Sequence, residues 1–260
     1  MPRRRPADVA IRATDLSILR ASRGGDVRVV DGVSFTLPHG AVLAVMGPTG
    51  AGKSSLATVL AGSEETGLAV VGGEAWVEGI SVRHPGRARR ELTYFTGFLA
   101  QRAGADLPAR MTVGEVIGAP ITSRDRRVNQ RALAVRIAAL LDELMLPLGA
   151  APKYPYELSA GMRQRVALAR ALVLEPRVLV ADDPFANLDV EVRRAARDAI
   201  LRRRARGMST LIVTNEAEVA RELDADVLIL RAGHTVAYGR GTDHLLWTPS
   251  AQADPRLIAS

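Results

Sequence analysis

The residues best able to do chemistry stand together at Gly47-Pro48-Thr49-Gly50-Ala51-Gly52-Lys53-Ser54, followed by Ser55. Glycines let such a loop curl so that successive backbone N–H groups point inward, making a concave site for phosphate oxygens. Closing the loop on Lys-Ser puts an ammonium within reach of terminal phosphates and a hydroxyl within reach of a divalent cation. A helix starting at Lys53 would add its positive N-terminal end. Lys53 is one of only two lysines among 35 basic residues. In a chain that otherwise uses arginine, a compact ammonium here suggests a site that a planar guanidinium does not fit. The loop by itself leaves kinase, GTPase, helicase and transporter ATPase chemistry open.

These residues need elements to hold them. Residues 41–46 are a short, unbroken apolar run ahead of the loop, as expected of a strand buried on both faces. The β-formers of 9–18 and 27–37 predict two antiparallel strands around the turn 22–26. Leu133, Ile137, Leu140, Leu141 and Leu144 recur with a 3.6-residue period, predicting a helix over 131–146. Further helices are expected at about 161–174 and 190–206, and strands at 178–181, 210–214 and 227–230. A hairpin through Gly233 leads to 235–238. Strands alternating with helices argue for an α/β core around a mainly parallel sheet. Residues 102–160 are rich in helix and loop signals and read as an insertion into it. The tail from Thr248 is small, polar and proline-containing.

Composition narrows the classes. The 260 residues are 47% hydrophobic, enough for a sizeable core, and contain no cysteine. Disulfide frameworks, thiolate metal sites and cysteine nucleophiles are excluded. Met1–Arg12 has no apolar stretch of a secretory leader, and the apolar run 166–182 is broken by Arg170, Glu175 and Arg177, so no membrane span is expected. The net charge of +7 raises nucleic acid and anionic lipid as partners. The arginine-rich stretches 124–131 and 193–206 read as helix faces and loops, for which water, a partner subunit or anionic headgroups suffice. Aromatics, at 4%, are too sparse for a base-stacking platform.

A second set of residues decides among the phosphate chemistries. Leu158-Ser159-Ala160-Gly161-Met162-Arg163-Gln164-Arg165 opens a helix, with Ser159 106 residues after Lys53. Asp182 and Asp183 end the apolar strand beginning at Val178, and Ala186-Asn187-Leu188-Asp189 follows. Together with the glycine loop, this set resembles the nucleotide-binding subunits of ABC transporters over about 9–240. Arg110-Met111-Thr112-Val113-Gly114-Glu115, Tyr154-Pro155-Tyr156-Glu157 and Met162-Arg163-Gln164-Arg165 are most similar to the dipeptide, oligopeptide and nickel import branch.

The resemblance implies an α/β fold: a P-loop NTPase core of RecA type, an N-terminal antiparallel β subdomain and an inserted α-helical subdomain. The chain would be one domain over 1–260. Core and β subdomain would occupy 9–101 and 165–240, the helical subdomain 102–164, and a tail 241–260. It implies ATP and Mg²⁺ as cofactors. Gly47 to Ser55 would hold the phosphates, and Ser54, Gln101 and Asp182 the metal. Asp183 would act as general base, with Asn215 and Gln101 beside it. Ser159, Ala160, Gly161, Met162 and Asp189 would face a nucleotide held by a second ATP-binding subunit. Integral membrane permease subunits and a substrate-binding protein would complete the complex at the cytoplasmic face of the membrane. Nucleic acid is not an expected partner.

Departures from the family pattern carry information. Asp183 stands where the family has glutamate, one methylene longer. Asn215 stands where the family has histidine and carries no switchable charge. Residues 1–34 contain no aromatic to stack on adenine, and Arg20 stands in its place. Ala160 and Met162 replace a glycine and a glutamine of the signature. These changes suggest an asymmetric pair, in which this chain's own site hydrolyses slowly and its signature completes a different subunit's site. A homodimer with Asp183 as a sufficient base is the simpler alternative; a non-transport ATPase acting on nucleic acid is the other.

Overall fold

The computed structural model describes residues 9–22, 25–65 and 67–247. Two sheets are built from it. In the larger, β3 (Val42–Met46), β6 (Thr96–Leu99), β7 (Val178–Asp182), β8 (Ser209–Val213) and β9 (Asp226–Arg231) run parallel in the order β9-β3-β8-β7-β6. β10 (His234–Arg240) and β11 (His244–Trp247) extend its β9 edge antiparallel. The smaller sheet is antiparallel, in the order β2-β1-β4-β5, from β1 (Ile11–Arg20), β2 (Val27–Leu37), β4 (Leu68–Val77) and β5 (Ile80–Ser81).

Period-two alternation sorts the core into two layers. Val42 and Ala44 of β3 face one side, with Leu179, Ala181 and Ile212. There they meet the helices α3 (Val113–Thr122), α4 (Gln130–Glu143), α5 (Ala160–Leu172) and α6 (Val190–Arg204). Leu43 and Val45 face the other side, with Val178, Val180 and Leu211. There they meet α1 (Lys53–Leu60), the small sheet and Leu92 of α2 (Arg89–Phe95). Every residue of β7 and β8 is buried, which is why Val178–Ala181 and Leu211–Val213 are unbroken apolar runs. A short α7 (Ala217–Glu222) joins β8 to β9.

Several expectations are corrected. The helix predicted to reach 146 ends at Glu143; Leu144 caps it, Met145 turns into the left-handed region, and Pro147 bars continuation. The helix predicted to 206 ends at Arg204, ahead of Gly207 at φ 98°. Residues 241–260 are not all tail, because 244–247 pair with β10 as an edge strand. The expected loose tail from Thr248 lies outside the described residues, as do Arg23 and Gly24 of the predicted turn. The strand β4 was not predicted. Gly72 and Gly73 interrupt its pattern, and its register against β1 shifts where Asp15 adopts φ 51°.

The arginines at the end of α6 are not a purely solvated face. Arg203 is buried and holds Glu143 of α4 with both guanidinium nitrogens at 2.9 Å, while Arg202 adds a third bond at 3.0 Å. Arg204 donates to Gly40 O and Leu223 O. The three tie α6 to the helical layer and to the loop before β3.

Candidate functional site

The glycine loop leaves the C-terminal end of β3 and runs into α1. Two of its glycines are sterically required. A Cβ on Gly47, at φ 137°, would lie 2.0 Å from Leu230 O, and one on Gly52, at φ 98°, would lie 2.0 Å from Val29 O. No backbone with a side chain at either position could close the loop this way. Gly52 is also the N-cap of α1. It offers no side-chain cap, and the first turn carries no acid. The N–H groups there therefore remain available to an anion.

A cavity of about 420 Å³ lies against this loop. Thr49, Gly50, Ala51, Gly52, Lys53, Ser54 and Ser55 line it from the loop and α1. Gln101 enters from just after β6, Asp182 and Asp183 from the end of β7, Asn215 from just after β8, and Arg20 from the end of β1. Residues up to 195 positions apart thus converge because parallel strands deliver their C-terminal ends to one edge. Val29 and Val213 also line it and had no signal in the sequence beyond β-propensity. Gly47 and Pro48 face a neighbouring cavity of about 270 Å³, which shares Asn215 as a wall.

The electrostatics of the cavity are those of a nearly buried charge cluster. Lys53 Nζ donates to Gly47 O at 2.5 Å and to Pro48 O at 3.0 Å. Burial pulls its pKa down, against the pull of Asp183 and Asp182. Burial pushes the Asp182 carboxyl up, and neighbouring Asp183 adds to this; a hydrogen bond from Ser54 and the charge of Lys53 oppose it. Asp183 is likewise raised by burial and by Glu216, and held back by Lys53. Asp182 is 3% exposed, and its Oδ1 is buried without a hydrogen-bond partner. An orphaned carboxylate oxygen beside a serine hydroxyl and a glutamine amide is a donor set that suits a hard, oxygen-loving cation such as Mg²⁺.

Asp183 adopts φ 47°, an uncommon conformation for a residue with a side chain. Its N–H donates to Val213 O at 2.9 Å, and its carbonyl accepts from Gln164 Nε2 at 3.3 Å. Gln164 was read only as part of the signature stretch, with no role of its own, and Glu216 was not picked out from the sequence. Arg20 is pinned in its own plane: one nitrogen donates to Glu65 Oε1 at 2.7 Å and another to Ser55 Oγ at 3.1 Å.

The signature residues are not part of this cavity. Ser159 is the N-cap of α5 and accepts from Met162 N at 3.2 Å. Ala160, Gly161 and Met162 form the first turn that follows. Gly161 lies close against the loop 183–189, where a Cβ would come within 2.8 Å of Asn187 O. Asp189 caps α6 by accepting from Val192 N at 2.9 Å.

The comparison with known proteins matches this architecture. The family profile described as "ABC transporter" fits residues 30–186, more than half of the chain. The chain belongs to the ABC transporter family. It is 35% identical over 220 residues to the sulfate/thiosulfate import ATP-binding protein of Burkholderia mallei, covering 84% of this chain and 60% of that protein. It is 29% identical over 214 residues to the oligopeptide transport ATP-binding protein OppF of Salmonella typhimurium, covering 82% and 63%. The chain thus spans about three-fifths of the length of these relatives. Its fold matches the ABC cassette MJ0796, solved as a dimer in a post-hydrolysis state with ADP and Pi. The TM-score is 0.79 at 22% identity, covering 88% of this chain and 98% of that one. Among the described residues of this family member, no helix is long and apolar enough to cross a membrane.

Proposed function

We propose that this chain is the ATP-binding subunit of an ABC importer, that it binds Mg-ATP in the 420 Å³ cavity, and that its own site hydrolyses ATP slowly. The observation that carries this reading is the convergence of Lys53, Ser54, Gln101, Asp182, Asp183 and Asn215 on one cavity, with an orphaned Asp182 oxygen at its wall. The uncapped amides of the loop and α1 take the phosphates, and Lys53 exchanges its loop carbonyls for the terminal ones. Ser54, Gln101 and Asp182 would hold Mg²⁺, which would supply positive charge against the phosphate oxygens. Asp183 orients the attacking water and takes up its proton. Burial supports that role, since a raised carboxyl is the better base. Asn215 hydrogen-bonds the terminal phosphate, and the guanidinium face of Arg20 stacks on the base.

The signature, Ser159 to Met162, and Asp189 lie outside the cavity. We read them as facing a nucleotide held by a second, different ATP-binding subunit. The altered Asp183 and Asn215 beside an intact Lys53, Ser54, Gln101 and Asp182 support an asymmetric pair. The relatives include oligopeptide, sulfate and iron importers. The residues 154–157 and 162–165 favour peptide or nickel cargo, delivered through permease subunits at the cytoplasmic face of the membrane. The deciding experiment measures ATPase activity of the assembled transporter with Asp183→Ala, and with the equivalent change in the partner subunit. The asymmetric reading expects a small loss from the first and a large loss from the second. Equal losses would overturn it in favour of two equivalent sites.

A further inference from the structure

We infer that the arginine-rich rim formed by residues 86–90 and 124–131 is a docking surface for anionic lipid headgroups. The two segments are remote in sequence but meet where Arg90 donates to Arg124 O at 3.0 Å. Arg124 in turn donates to Thr93 Oγ1 of α2 at 3.0 Å. Together they border a groove of about 560 Å³ whose wall includes Thr93, Ser123 and Arg124.

The rim carries far more positive charge than the fold uses. Arg87, Arg126, Arg127 and Arg131 are exposed, with no side-chain hydrogen bond or ion pair among the described residues. Asp125 spends one oxygen on the Arg127 N–H at 2.8 Å, and Glu64 is taken by Arg89. Three of these free arginines surround the start of α4, whose first turn holds no acid. The positive end of a helix disfavours cations, so charge placed there is a local cost unless an external anion neutralises it. Tyr94 stands one turn after Arg90 on the same surface and is about half exposed. A tyrosine beside arginines fits the headgroup level of a bilayer. Nucleic acid fits less well: the free guanidiniums flank a groove instead of tracking a strand, with a single exposed aromatic for stacking.

This inference rests on the importer reading, in which the chain works at the cytoplasmic face of the membrane. Each basic residue near an anionic leaflet strengthens binding about fivefold. The test is flotation of the full chain with phosphatidylglycerol-containing vesicles against pure phosphatidylcholine vesicles, with Mg-ATP binding measured on the same preparations. The expected result is salt-sensitive binding to the anionic vesicles only. Arg126→Glu with Arg127→Glu should weaken it roughly twentyfold or more. Arg194→Glu with Arg221→Glu, the same charge change elsewhere, should weaken it far less. Equal losses from both pairs, or equal binding to both vesicle types, would overturn the surface. So would a DNA duplex that binds through Arg126 and Arg127 while vesicles do not. A chain that floats as expected yet fails to bind Mg-ATP would refute the importer reading and leave the surface standing.

Discussion

Replacing Asp183 by glutamate should accelerate this chain's own site. The carboxylate leaves the end of β7 and enters the cavity opposite Lys53 and Ser54. One added methylene extends its reach by about 1.5 Å, the length of a carbon–carbon bond. A displacement of about 1 Å in a reacting group costs roughly 10²-fold, and general-base action is worth roughly 10²–10⁴-fold. Asp183→Glu is therefore expected to raise the turnover of this site by about 10- to 100-fold. Affinity for Mg-ATP should stay within about threefold, because in the proposed reading Lys53 and the loop amides carry the phosphates. The gain should fall toward the lower end, since aspartate tolerates the left-handed φ of 47° better than glutamate does. Single-turnover phosphate release with the partner's site inactivated reads this site alone. Asp183→Asn is the control, retaining shape without basicity, and should abolish the residual rate. Two results would refute the reasoning: Asp183→Asn hydrolysing as fast as the natural chain, or Asp183→Glu falling to the rate of the asparagine variant. The first removes Asp183 from the chemistry; the second shows that the site is built for the shorter side chain.

Other outcomes are expected from the same geometry. Gly52→Ala should abolish nucleotide binding in a filter or fluorescence assay and lower the melting temperature, because its Cβ would fall 2.0 Å from Val29 O. Arg20→Tyr should keep or tighten ATP binding, while Arg20→Ala weakens ATP binding without weakening that of inorganic tripolyphosphate, which has no base to stack. Glu143→Gln should destabilise the chain by about 2–3 kcal/mol in urea titration, somewhat below the roughly 3–5 kcal/mol for breaking a fully buried pair, since Glu143 is partly exposed. The pH dependence has a defined sign. Burial raises the Glu143 carboxyl, but the Arg203 and Arg202 bonds outweigh it and leave its pKa below the ordinary value of 4.5. Its stabilising contribution is thus present above that value and is lost as pH falls through the lowered one. Acid unfolding of Glu143→Gln should lack this component.

Much of the site could be read directly because its chemistry is local in sequence. The glycine loop is one short segment, its glycines are sterically obligatory, and an apolar strand precedes it. Asp182 and Asp183 were legible as acids at the end of an unbroken apolar run. Thr112 to Glu115 carried a second meaning. It is a reciprocal helix cap, with Thr112 N donating to Glu115 Oε2 at 2.7 Å and Glu115 N to Thr112 Oγ1 at 3.3 Å. The T-x-x-E spacing could have predicted α3. The strand β4 was hidden because its glycines break the alternation that marks strands.

The sequence alone determined the phosphate-binding loop, the family resemblance and the parallel core, since each is read from short motifs or apolar runs that are local even where they lie far apart in the chain. Only the tertiary structure put distant residues into one cavity: Gln101, Asn215 and Arg20 carry no signal of their own and were reached in the sequence only through the resemblance, whereas the fold brings them together on the strand ends that carry them. It also separated the arginines. Arg203 is buried on Glu143, Arg20 is held by Glu65 and Ser55, and the arginines of 86–90 and 124–131 are brought together at one rim. Composition records only how much charge a chain holds. Whether a charge is paired, pinned or free depends on which elements the fold sets beside it.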